Sequence, residues 1–196
     1  MILGITGGTG CGKTTLLQCI ARAGGLVLDC DAIYHDLLET DPGLLAAIEK
    51  RFPGVVEQGV LQRKKLGQLV FSDPAALADL NAITHSAVKR EVLRRLETAP
   101  ELAAIDAIAL FEGGLAELCD VTVAVTAPVE ERAKRLMLRD GIPESYARSR
   151  IAAQHDDGWF RSRCTHTLTN DADAKTFFGK CVAFLSHYDI IVGNDD

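Results

Sequence analysis

An α/β fold built on a doubly wound parallel sheet of about five strands is predicted by three observations. Short apolar runs alternate with stretches of helical periodicity along the whole chain. The first run, Ile2–Thr6, opens into a glycine-rich turn that leads at once into a helical pattern. The second run, Leu26-Val27-Leu28, delivers the acids Asp29 and Asp31 to a strand's carboxyl end, the edge where open α/β sheets place ligands.

Each element has its own signal. From Lys13, the apolar residues Leu16, Leu17, Ile20 and Ala21 follow helical spacing up to the stop at Gly24-Gly25. Residues 32–98 read as a largely helical block: Asp41-Pro42 opens one helix, Pro53-Gly54 breaks the chain, and Ser72-Asp73-Pro74 supplies a cap with proline in the first turn. The block is too long for a single crossover helix and is expected to form a side module. Buried strands are predicted at 105–111, closing on Glu112-Gly113-Gly114, and at 121–125, closing on Thr126-Ala127-Pro128. Helices at 128–139 and 143–154, joined by Asp140-Gly141, precede a fifth strand at 165–169 and an amphipathic helix at 172–187. The expectation is one domain: a core of about 1–31, 99–130 and 164–196, a helical module of about 32–98 and a helical lid of about 131–163.

With 196 residues, 47% hydrophobic and 24% charged, the chain has the composition of a globular domain. Its formal charge of −6 disfavours a broad surface for nucleic acid or anionic membrane. No apolar run approaches the ~18 residues that span a bilayer, and the start lacks a signal-peptide pattern, so a cytoplasmic location is expected. Six irregularly spaced cysteines without a CxxC read as reduced thiols.

The chemistry-bearing stretch is Gly7-Gly8-Thr9-Gly10-Cys11-Gly12-Lys13-Thr14, which matches the phosphate-loop pattern of Gly, four residues, Gly, Lys, Ser or Thr. Its glycines let backbone N–H groups turn around phosphate oxygens, and the helix behind presents its positive dipole end. The residues expected to contact nucleotide are Gly8, Thr9, Gly10, Cys11, Gly12, Lys13, Thr14 and Thr15. Lys13 reaches the outer phosphates, and Thr14 offers a hydroxyl to Mg²⁺ with waters. Asp29 and Asp31 read either as acids that orient or deprotonate an attacking hydroxyl, with Asp31 the first choice, or as a helix N-cap plus a surface acid. Cys11 reads as a tolerated small side chain or as a thiol of lowered pKa open to oxidation. Trp159 stacks on a base or closes a hydrophobic patch. The guanine-reading Asn-Lys-x-Asp element has no match, since Thr169-Asn170-Asp171 lacks the lysine. The length suits a small P-loop NTPase-like kinase; another small-molecule or nucleotide kinase and a non-catalytic ATP-binding switch remain alternatives.

As an ordered set, these residues resemble the dephospho-CoA kinase family. The resemblance rests on the opening 3–13, on Asp29-Cys30-Asp31, and on Leu61-Gln62-Arg63 with Leu66 and Val70-Phe71. It continues through Leu80-Asn81-Ala82-Ile83-Thr84-His85, Leu110-Phe111-Glu112, Arg132, Arg139, Arg150-Ile151, Gln154 and Asn170. Ser86, Ile108-Ala109 and His166 depart from the family's pattern. The resemblance implies transfer of the ATP γ-phosphoryl group to the ribose 3′-hydroxyl of dephospho-CoA, with Mg²⁺. A monomer or weak homo-oligomer is expected. It implies Asp31, Asp29, Lys13 and Arg139 as catalytic residues. Arg139 and Arg150 would be lid contacts to the nucleotide, Asn170 a contact near the adenine, and Arg63, His85, Glu112 and Asp31 the acceptor site. For Glu112 a helix cap or surface acid is the competing reading, for His85 an ordinary surface residue, and for Asn170 a turn.

Overall fold

The structure is a computed structural model describing residues 1–193. The chain runs β1 (Ile2–Thr6), α1 (Lys13–Arg22), β2 (Leu26–Asp29), α2 (Cys30–Thr40), α3 (Pro42–Arg51), β3 (Val56–Glu57), β4 (Val60–Leu61), α4 (Arg63–Val70) and α5 (Pro74–Leu96). It continues through β5 (Ala103–Asp106), β6 (Val121–Thr126), α6 (Val129–Asp140), α7 (Glu144–Ala152), α8 (Asp157–Arg163), β7 (His166–Thr169) and α9 (Ala174–Ser186).

Five strands form one sheet of order β2-β5-β1-β6-β7, in which β1 runs parallel to β5 and β6, and β6 to β7. Leu3 of β1 pairs with Ala104 on one side and Val121 on the other, which makes β1 the middle strand. The residues of β6, Val-Thr-Val-Ala-Val-Thr, are all buried, as a β-branched strand covered on both faces should be. α1 and α9 cover the sheet with Leu16, Ile20, Phe177 and Leu185, joined to Leu3, Ile5, Val123 and Val125 in one apolar cluster. His166 opens β7, the edge strand, and is hydrogen-bonded through Nε2 to the Tyr188 hydroxyl at 2.5 Å.

By contacts the chain divides into two compact units. The first comprises residues 1–28, 99–110 and 115 onward, and therefore includes α6, α7 and α8. The second comprises 29–98 and 111–114. Aspartates start three of its four helices: Asp29 caps α2, Asp41 caps α3 and Asp73 caps α5, each accepting from two backbone N–H groups. Pro42 and Pro74 stand in the first turns, as their fixed φ favours.

Three features differ from the sequence-based expectation. The strand predicted at 105–111 ends at Asp106. Beyond Ala107, whose N–H still bonds Ile5, the chain turns, with Leu115 and Ala116 donating to the Leu110 carbonyl. Leu110 is fully buried there, so an apolar run reads alike whether it is paired or folded into a buried turn. Inside the helical block lies a hairpin, β3 with β4, turning at Gln58 (φ 52°) and Gly59 (φ 77°). These are the left-handed conformations of a tight hairpin turn, and Gln58-Gly59 is its only local mark. The short helix α8, capped by Asp156, whose side chain accepts the Trp159 N–H, fills the stretch between the two predicted elements at 143–154 and 165–169. Among the described residues no helix is long and apolar enough to cross a membrane.

In α5, Glu91 accepts hydrogen bonds from Arg94 and Arg95, which hold its carboxyl down at about 2. The unfolded chain protonates this group nearer its ordinary 4.5. The stability it contributes is therefore complete above that range and is lost as pH falls toward about 2. The gap in urea midpoint between the wild type and Glu91→Gln should narrow between about pH 7 and about pH 3; an unchanged gap contradicts this.

Candidate active site

In the first unit, β1 ends at Thr6 and α1 begins at Lys13, with a glycine loop between them. Gly7, Gly10 and Gly12 hold φ of 133°, 77° and 98°, left-handed values that side-chain-bearing residues resist. Space also excludes side chains. A Cβ on Gly8 would lie 2.1 Å from Arg132 Nη2, and one on Gly12 would lie 2.3 Å from Asn170 Nδ2.

Those two neighbours are braces. Arg132, on α6 and only 2% exposed, donates from Nε to the Thr9 carbonyl at 2.9 Å. Its other nitrogens reach Asp157 and the Gln154 oxygen at 3.4 Å each, and Gln154 in turn accepts the Thr9 N–H at 2.8 Å. Arg135 donates to the carbonyls of Gly10 and Cys11, and the buried Asn170 donates from Nδ2 to Cys11 at 3.0 Å. Since peptide planes are rigid, drawing the carbonyls of Thr9 and Cys11 outward turns the N–H groups of Gly10 and Gly12 the opposite way. The Cys11 N–H closes a turn onto Gly8 at 3.3 Å.

Lys13 donates to the Gly7 carbonyl at 3.0 Å, and its ammonium lies 4.0 Å from an oxygen of Asp106, the last residue of β5. The sequence conceals Asp106, an acid at a strand end that lies inside the apolar run 105–111. Thr14 is exposed in the first turn of α1, and the Thr15 N–H turns back to Gly12 at 3.2 Å. Cys11 is 1% exposed, and burial pushes its thiol above the ordinary range, with the Lys13 and Arg132 charges opposing only in part. The reading of Cys11 as a low-pKa, oxidation-prone thiol is corrected accordingly: the helix N-terminus does not offset its desolvation.

Farther along the same unit, Arg139 and Arg150 converge on Asp140. Arg139 holds it bidentately at 2.7 and 3.1 Å, and Arg150 at 2.6 Å. Chiefly through Arg139, the Asp140 carboxyl sits down at about 2. Arg148 turns instead to Glu130 and Glu144. Asn170 follows β7, its N–H donating to Thr126 at 2.7 Å, so its engaged amide acts on the loop. Trp159 stacks on the His155 ring at 3.8 Å, with Arg163 over its face at 4.1 Å.

In the second unit, the two acids have different work. One oxygen of Asp29 accepts the N–H groups of Asp31 and Ala32 at 2.9 and 3.0 Å as the α2 cap. Asp31 is exposed in the first turn of α2, and its carboxylate accepts no hydrogen bond among the described residues. Arg63 opens α4 and donates from Nη2 to His35 Nδ1 at 3.2 Å, a partnership the sequence did not reveal. His85 is half-buried in the middle of α5. Glu112 is exposed in the turn 111–114 rather than at the end of a strand, for the reason given for Leu110.

A strand, a glycine loop cradled from behind, a helix opening on Lys-Thr and an acid on the adjacent strand end define a P-loop kinase. A family model described as dephospho-CoA kinase matches residues 1–176. A dephospho-CoA kinase of Deinococcus radiodurans is 38% identical over 192 residues, covering 96% of this chain and 92% of that one. Among solved structures, TT1252 from Thermus thermophilus superposes with a TM-score of 0.82 at 32% identity, covering 96% and 97% of the two chains. A shikimate kinase of Bacteroides thetaiotaomicron shares the fold at a TM-score of 0.56 and 15% identity, covering 96% of this chain and 98% of that one. The chain belongs to the dephospho-CoA kinase family, phosphotransferases of coenzyme A biosynthesis for which ATP is the co-substrate.

Two outcomes follow from the loop geometry. Gly8→Ala forces a methyl group into the pinned Arg132 guanidinium, and such overpacking costs about 1–3 kcal/mol. Expressed in the loop, this should weaken ATP binding by about tenfold or more in calorimetry, and wild-type affinity would contradict it. Cys11 in the folded protein should react with iodoacetamide more slowly than free cysteine at the same pH; faster labelling would overturn its assignment as an inert core thiol.

Proposed function

We propose that this chain transfers the γ-phosphoryl group of ATP to the ribose 3′-hydroxyl of dephospho-CoA, giving CoA and ADP. Family membership supports the acceptor. The observation that carries the chemistry is Asp31, an exposed carboxylate in the first turn of α2 whose oxygens are left open while Asp29 does the capping.

In this reading the loop N–H groups and Lys13 bind the β and γ phosphates, and the α1 dipole adds to their field. Asp31 accepts the proton of the 3′-hydroxyl as its oxygen attacks the γ phosphorus. The bond from phosphorus to the bridging oxygen breaks, and ADP leaves with that electron pair. Arg139 and Arg150 act from the α6–α7 segment, where release from Asp140 frees two guanidiniums for the phosphates and for exclusion of water. Asn170 acts by holding the loop. Arg63, His85 and Glu112 are assigned to the acceptor.

Mg²⁺ fits the donor set, since the Thr14 hydroxyl and the Asp106 carboxylate are hard oxygen donors. These two side chains would hold the ion, with most of its other ligands supplied from outside the protein. When bound, the ion would neutralise charge on the β and γ oxygens.

The test is purified protein with Mg·ATP and dephospho-CoA, followed by direct detection of CoA, with nucleoside monophosphates and shikimate as competing acceptors. CoA formed only from dephospho-CoA supports the reading. Turnover with another acceptor, or ATP binding without turnover, defeats it. Asp31→Asn should lose about 10²–10⁴-fold in kcat, the usual worth of a positioned base, with ATP affinity within a few fold; full activity removes Asp31 as base.

A further inference from the structure

The second unit contains five arginines, and four of them are paired with carboxylates. Arg51 pairs with Asp79, Arg90 with Asp41, and Arg94 and Arg95 with Glu91. Arg63 is the exception: its partner is the imidazole of His35, and no carboxylate pairs with it among the described residues. Arginine carries donors only, so Nδ1 of His35 must be the acceptor. That places the ring proton on Nε2 and leaves the imidazole neutral.

The consequence is electrostatic. A guanidinium held by a carboxylate has its charge cancelled locally, whereas one held by a neutral acceptor is fixed in direction and keeps its full positive charge. The 3.2 Å contact with His35 sets the guanidinium against α2, beside the half-buried Tyr34, whose hydroxyl is pushed up by burial with the Arg63 charge opposing in part. His35 stands four residues after Asp31, on the same face of α2 one turn along. Arg63 is thereby held to the helix face that carries the proposed base.

Building on the function proposed above, we infer that His35 is a positioning residue for the acceptor: it holds Arg63 through Nδ1 and keeps its charge available for the acceptor's phosphates. The role requires an acceptor atom at the Nδ1 position and forbids a negative charge there. Asparagine meets both conditions, because its Oδ1 can stand where Nδ1 stands, whereas aspartate meets only the first.

The experiment compares wild type, His35→Asn and His35→Asp in steady-state kinetics, with calorimetric titration of dephospho-CoA onto each. His35→Asp should raise KM and Kd for dephospho-CoA by about tenfold or more, with kcat at saturation and KM for ATP within about twofold, and His35→Asn should stay near wild type. Equal losses in the two variants would mean a merely structural histidine and would overturn the inference, as would an unaffected His35→Asp. Wild type that binds dephospho-CoA without phosphorylating it would defeat the proposed function alone, since the titrations still decide the role of His35.

Discussion

The arrangement on which the rest of this protein depends is the buried guanidinium of Arg132 behind the phosphate loop. A loop of left-handed glycines is conformationally loose by itself, and its carbonyls would point toward a bound phosphate as readily as its N–H groups. Arg132 removes that freedom by taking the Thr9 carbonyl, while Gln154 takes the Thr9 N–H and Arg135 and Asn170 take the next carbonyls. Burying a cation is costly unless its donors are satisfied and a counter-charge is near, and Asp157 together with Gln154 meets both needs. The glycine at position 8 follows from the same contact, since its missing side chain is the space the guanidinium fills.

This brace ties the loop to α6 and α8, and the same α6 ends in the cluster of Arg139, Arg150 and Asp140. The two arginine sites are built differently. Arg132 is buried and fixed, while Arg139 and Arg150 are held by surface ion pairs that contribute little each and are readily exchanged for another anion. The interior between α6 and α7 is small, formed by Ala133, Leu136, Ala147 and Ile151. One helix thus carries a buried, fixed arginine behind the glycine loop in its first turn and a surface-paired arginine in its last.

The second unit follows another economy of charge. Aspartates start three of its four helices, and its arginines are mostly matched to carboxylates; Asp31, whose oxygens stay open, and Arg63, whose partner is neutral, stand outside this pattern. Asp29 and Asp31 lie two residues apart but differ in role because only Asp29 precedes the helix, where its oxygen meets two unsatisfied N–H groups. Asp31, not used by the backbone, is the acid assigned as base in the proposed reaction.

Much of this was legible along the chain because it is local. The strand–loop–helix opening, the Lys-Thr pair, the Asp-x-Asp element and most helix boundaries rest on glycine conformation, capping and periodicity within a few residues. What only the tertiary structure decided depends on residues far apart in sequence. The bracing role of Arg132 is not legible in the sequence, because its partner Thr9 lies 123 positions away. Cys11 sits at a helix start that should favour a thiolate, yet burial outweighs that local field. Asp106 was hidden because an apolar run does not say where pairing stops and a buried turn begins. Chain chemistry determined which groups could bind phosphate; packing determined which of them face a ligand and which hold the others in place, because desolvation and counter-charge are set by neighbours that only the fold supplies.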